Sequence, residues 1–139
     1  MTLHLMKLCV GADSVEHLDA FQQRRLRQGQ RLFHDTRMMP KRAGEITDGG
    51  SLYWVIKGRF QVRQAITDIT REVDETGRGF ARLHLDQTLC RVMPRAQRPF
   101  QGWRYLEAAK APQDLGAAAP GGEDLPPEMQ AELRALGIL

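Results

Sequence analysis

The sequence predicts an α+β fold, a small mixed, partly closed β-barrel with flanking helices. Three observations lead there. Between Leu52 and Ile66 the apolar residues Leu52, Trp54, Ile56, Phe60, Val62 and Ile66 all fall on even positions, the period of a half-buried strand. One helix-like stretch with signals at both ends stands among several strand-like runs of uneven length. At 139 residues the chain is long enough for one domain with an adequate core, and closure of the sheet would hide its edges.

In chain order, "LHLMKLCV" (3–10) reads as a strand with apolar residues on both faces, hence a central one. In "GADSVEHLDAFQQRRLRQGQ", Asp13 and Glu16 have capping-box spacing. Val15, Leu18, Phe21 and Leu26 follow helical spacing with Gln22 polar, and Gly29 is a natural stop, so a helix is expected over about 13–28. Arg24, Arg25 and Arg27 suit the negative end of its dipole, a structural role that competes with ligand binding. "RLFHDTRMM" is expected as a short strand. "PKRAGEITDGG" is expected as one or two helical turns beginning at Pro40.

A straight strand of ~15 residues would run about 50 Å, too long for a domain whose radius of gyration is about 14 Å. The chain must therefore fold back or kink near Gly58. Directly opposed residues share a face. A three-residue loop, Lys57-Gly58-Arg59, would oppose Ile56 to Phe60 and Trp54 to Val62, whereas a loop at Gly58-Arg59 would mix core with surface. In either form Tyr53, Lys57, Arg59, Gln61 and Arg63 are expected on one side, away from the core, with Gln64 the one polar break in the even series. The parity changes after Ile66, which places a bulge near Thr67–Asp68. "TDITREVDETGRGFARLHLD" reads as a strand, a turn at Glu75–Gly79 and a return strand. "LCRVM" is expected as a further short strand, and "PRAQRPFQGWRYL" as a loop ending in one. Residues 1–111 form the expected domain. Residues 112–139 form a linker and a short C-terminal helix with Leu125, Met129, Leu133 and Leu136 along one side.

Charge is unevenly distributed. Residues 1–111 hold 19 Lys+Arg and 12 Asp+Glu, 19 − 12 = +7; residues 112–139 hold 1 and 5, 1 − 5 = −4. A basic body attracts polyanions; a well-solvated surface is the plainer reading. The N-terminal run is too short and polar for a signal peptide, and no run reaches the length of a membrane span, so a cytoplasmic protein without membrane contact is expected. Cys9 and Cys90 lack paired spacing and are read as free thiols. His4, His17, His34 and His84 show no ligand spacing, Ser51 lacks a nucleophile elbow, and no phosphate loop or dinucleotide fingerprint occurs. No metal or cofactor is expected.

"RMMPKRAGEITDGGSLYWVIKGRFQVRQ" together with "RPFQGWRYL" resembles a bacterial domain-of-unknown-function family, number 1489, over roughly residues 1–112. The segment "AGEITDGGSLYWVIKGRFQVRQAITDI" is also similar to the central hairpin of PUA-like domains, including the ASCH and EVE branches. That similarity implies a small mixed β-barrel that binds RNA or a modified nucleobase. The ASCH branch carries a Gly-x-Lys-x-x-Glu-x-Arg signature. Here Lys41 and Glu45 are four apart rather than three, so that branch's catalytic lysine is not carried over.

The leading functional expectation is therefore a cytoplasmic RNA- or modified-nucleobase-binding domain. Its cations would be Arg37, Lys41, Arg42, Lys57, Arg59, Arg63, Arg95, Arg98 and Arg104, interleaved with Tyr53, Trp103 and Tyr105. Arginines would neutralise phosphates and aromatic rings would stack on unpaired bases. The stretch from Gln87 to Leu106 has no acid. The plainer reading keeps Trp103 and Tyr105 in the core. A second class is a small amidohydrolase- or nuclease-like enzyme acting on a modified nucleoside or RNA, with Lys41, Glu45 and His34 as candidates. "HDTR" would set His34 beside Asp35 and Arg37 as a general base, while Lys41 and Glu45 equally fit a surface ion pair. A third is a protein-interaction module acting through the C-terminal helix.

Overall fold

The computed structural model describes residues 2–115; the expected C-terminal helix lies outside them. Six strands and two helices make a mixed α+β domain, with β1 Leu3–Leu8, α1 Val15–Arg27, β2 Phe33–Thr36, α2 Ala43–Thr47, β3 Ser51–Ile56, β4 Arg59–Val73, β5 Gly79–Ala96 and β6 Trp103–Glu107. The strands form one sheet in the order β2-β5-β4-β3-β1-β6. The β1–β3 pair is parallel and the other pairs are antiparallel. β1 is interior, as its two-sided apolar pattern predicts. The backbone ladder leaves β2 and β6 as open edges. Side chains link the two ends: Trp103 Nε1 donates to the Met38 carbonyl at 2.8 Å, and the Arg42 amide donates to the Tyr105 hydroxyl at 3.3 Å.

Helix α1 is capped by Ser14, whose hydroxyl accepts from the His17 amide at 3.0 Å, rather than by the Asp13–Glu16 box. Gly29 follows its end at φ 76°, the left-handed geometry of a helix stop. The buried stripe of α1 is Val15, Leu18 and Gln22. Phe21 is 43% exposed and Gln22 only 8%, the reverse of their expected roles.

The hairpin joining β3 and β4 turns through two residues, Lys57 and Gly58, both at positive φ. That is the pattern of a turn matched to strand twist. Ile56 therefore opposes Arg59 and Val55 opposes Phe60, in place of the three-residue loop and the Ile56–Phe60 pair. The Trp54–Val62 pair is as expected, because a bulge restores the register. Gln61 is the extra residue, and its amide donates to the Ile56 carbonyl at 2.7 Å. Register also shifts between Ile66 and Asp68, where the parity change placed a bulge. The "LCRVM" run is not a separate strand. It is part of β5, which runs for 18 residues because bulges let it bend with β4.

The sheet is covered on both faces. One face packs Leu5, Ile46, Leu52, Trp54, Ile56 and Val62 against Val15 and Leu18 of α1. The other buries Tyr53, Val55, Phe60, Val92 and Leu106, with Phe100 and Ala111 against them. Residues 113–115 run along β5: the Met93 amide donates to the Gln113 carbonyl, and the Leu115 amide to the Arg91 carbonyl, each at 2.8 Å. Tyr53 and Gln61 are thus 4% and 3% exposed, not water-facing. Phe60 belongs to the second core rather than to the face of Trp54. Burial of a full aromatic ring there contributes ~2 kcal/mol or more.

Candidate ligand cavity

A concavity with a volume of about 380 Å³ opens between α1, the end of β1 and β2. That is ample for one heterocyclic ring and its substituent. β1 supplies Lys7 and, just beyond it, Cys9; α1 supplies Gln22 and Arg25; β2 supplies Phe33, His34 and Asp35; Trp54 of β3 and Leu85 of β5 complete the wall. The local sequence explains the placement. Leu3, Leu5, Lys7 and Cys9 share a parity, so the strand that buries Leu3 and Leu5 in the α1-side core carries Lys7 to the cavity on the same face.

Lys7 lies opposite Trp54 in the parallel β1–β3 register. Burial lowers its pKa from the ordinary lysine value, and its ammonium makes no ion pair or hydrogen bond among the described residues. His34 stands edge-on to Trp54, ring centroids 5.2 Å apart. Burial first, then the Lys7 and Arg25 charges, push its pKa down to about 4, so the ring is neutral near pH 7. Its Nε2 is buried without a hydrogen-bond partner. Burial raises the Cys9 thiol to about 11, which keeps it protonated and a poor nucleophile. Cys9 and Cys90 are both free and half-buried. Asp35 accepts from Arg82 at 2.9 and 3.2 Å, and Arg82 lies 4.0 Å over the Phe33 ring. Arg25 faces the same ring from 5.9 Å. The cavity therefore presents two cations, Lys7 and Arg25, while its one carboxylate is held by a third.

The site residues expected from sequence fall in several places. Arg42, Trp103 and Tyr105 cluster near α2: Arg42 donates to Glu45 at 2.6 and 2.8 Å and sits 5.7 Å over Tyr105, whose ring is 4.8 Å from that of Trp103. Glu45 thus pairs with Arg42, not with Lys41, which is exposed. On the second face Arg63 donates to Asp114 through two bonds of 2.7 Å and to the Ser51 hydroxyl at 2.9 Å, beside buried Tyr53. Arg95 donates to the Lys110 carbonyl at 2.6 Å and lies 5.2 Å over Phe60. Arg104 lies 5.5 Å over Phe100. Arg37 reaches Asp74 at 3.4 Å. Lys57 and Arg98 are exposed, and Arg59 is half-buried at the hairpin. His34, Asp35 and Arg37 do not converge, since Asp35 is held by Arg82 and Arg37 by Asp74. Lys7, Gln22 and Trp54 escaped the sequence reading as site residues, while Arg25 entered it only as a helix-end cation whose structural role competes with ligand binding. A lysine at an inward position of an otherwise apolar strand was the available signal.

Among the described residues no group of three or more His, Cys, Asp or Glu side chains could hold a metal ion, and no helix is long and apolar enough to cross a membrane. Among the described residues, fold and cavity together define a mixed α+β unit with a basic, aromatic-walled cleft. The chain belongs to the family described as "Protein of unknown function (DUF1489)", which matches residues 5–139. The match runs through the tail, past the expected limit near residue 112. No curated protein and no solved structure matches the chain.

Proposed function

We propose that this domain binds RNA or a modified nucleobase in the cytoplasm, with one base held in the cleft between α1 and β2 rather than laid across the β3–β4 strand face. The observation that carries this reading is the pair of cations without carboxylate partners, Lys7 and Arg25, in a cavity walled by Trp54 and Phe33. Aromatic walls suit a planar ring. Uncompensated cations suit its phosphate or carbonyl oxygens. The basic body of the chain would raise the local concentration of such a ligand. A PUA-like, partly closed barrel is the finer reading of the fold: the sheet is heavily bulged and its two ends are linked through Met38 and Trp103.

A salt titration of binding to single-stranded RNA tests the proposal. Affinity should fall steeply with salt, and Lys7→Gln or Arg25→Ala should weaken it by about tenfold or more each. Binding by these variants equal to wild type would remove the cleft from the reading. Absence of binding at low salt would remove the reading itself. One observation favours the hydrolase alternative: the neutral, unpartnered His34 stands beside a partly desolvated lysine. That enzyme would use Lys7 and His34 in place of Lys41 and Glu45.

A further inference from the structure

Behind the cleft lies an amide relay whose orientation is fixed by chemistry. Gln64 and Gln22 are 0% and 8% exposed. The Trp54 indole N–H can only donate, and it meets Gln64 at 3.3 Å, so the Gln64 atom there is its oxygen. The Asp86 carbonyl can only accept, and it meets Gln64 at 2.7 Å, so that atom is its nitrogen. Gln64 in turn dictates Gln22: each amide nitrogen donates to the other's oxygen, at 3.0 and 2.8 Å. Gln64 has now used both N–H groups and both lone pairs. Gln22, which lines the cleft with Trp54, keeps one N–H and one lone pair.

The charged groups of the cleft favour donation. Lys7 and Arg25 can only donate. Asp35, the one carboxylate, already accepts two bonds from Arg82. His34, neutral near pH 7, offers one donor and one acceptor nitrogen and so favours neither. We propose that the cleft is a donor-rich reader: Lys7 and the spare N–H of Gln22 select a ring edge bearing carbonyl oxygens, as in an oxopyrimidine or oxopurine, over the same ring bearing an amino group. The inference rests on the nucleobase-binding reading above and names the class of base. An amino group in that place would point its own N–H at an ammonium and strip that charge of water without a bond in return. Gln64 touches no ligand; it is a positioning residue that keeps the Gln22 amide from flipping.

Uridine monophosphate and cytidine monophosphate differ at one ring position, carbonyl against amino, and share the phosphate. Titration calorimetry of the full chain at low salt should show uridine monophosphate bound on the order of tenfold more tightly or better. Gln22→Met and Lys7→Met should each bring the two affinities toward equality, with thermal unfolding as the check on folding. Equal binding of the two nucleotides by the wild-type chain overturns the proposal, and that comparison needs no variant. A preference unchanged in folded Gln22→Met overturns it as well. If neither nucleotide binds, the proposal falls, and the single-stranded RNA titration then decides whether the broader reading falls with it.

Discussion

Replacing Gln64 by leucine tests how much of the fold depends on its one polar break in the even series. The side chain is fully buried and makes four hydrogen bonds, to Trp54, to Asp86 and two with Gln22. Leucine leaves the Trp54 indole N–H and the Gln22 amide without these bonds, in residues 4% and 8% exposed. Asp86 is exposed, so its carbonyl can turn to water. Two orphaned groups at about 1–3 kcal/mol each, less about 1 kcal/mol for the added apolar burial, give a loss of about 1–5 kcal/mol. That is a large share of a stability of about 5–15 kcal/mol. Urea unfolding followed by tryptophan fluorescence measures it. The double variant Gln22→Leu/Gln64→Leu should lose less than the sum of the singles, by about 1 kcal/mol or more, because removing both partners strands fewer polar groups. A single variant within about 0.5 kcal/mol of wild type, or strictly additive behaviour, would refute the reasoning.

Two further outcomes follow from the same geometry. The folded His34 pKa of about 4 lies below the ordinary 6.5, so between these values the unfolded chain binds a proton that the folded chain does not. Stability should therefore fall as pH drops from about 6.5 to 4 and level off below, by up to about 3 kcal/mol from this group. His34→Gln should remove that part of the slope, and an unchanged slope would show that His34 is not held neutral. Gly50→Ala should destabilise severely or abolish folding: a Cβ there would lie 2.2 Å from the Leu3 carbonyl oxygen and 2.3 Å from that of Ile46. Backbone atoms cannot yield as a side-chain tip can. A soluble variant melting near wild type would show that the α2–β1 approach is looser than described.

The elements that sequence predicted well are those with local signals. Helix α1, the short helix after Pro40, the fold-back at Gly58 and the irregularity after Ile66 each carry their own breaker or period. The misplacements have one cause. Period-2 alternation separates two faces but does not say that one is wet. Here both are dry, so Phe60 changes cores and Tyr53 is buried among apolar neighbours. The hairpin error is related, because a two-residue turn plus a bulged Gln61 gives the same Trp54–Val62 pairing as a longer loop. The cleft was legible only in part. His34 was visible as a candidate, but Lys7 and Gln22 acquire meaning when β1, α1 and β3 come together, a long-range event with no local signature.

The clamp between Arg63 and Asp114 makes composition a poor guide to where this domain can be cut. The alanine-, glycine- and proline-rich stretch looks dispensable from its first residues, yet Pro112 and Leu115 are buried and Asp114 grips β4 from across the sheet. A clone trimmed at residue 111 would strip the backbone partners from β5 around Val92 and leave an arginine without its counterion. The product would be a sticky fragment, and any loss of binding by it would say nothing about the cleft on the opposite side.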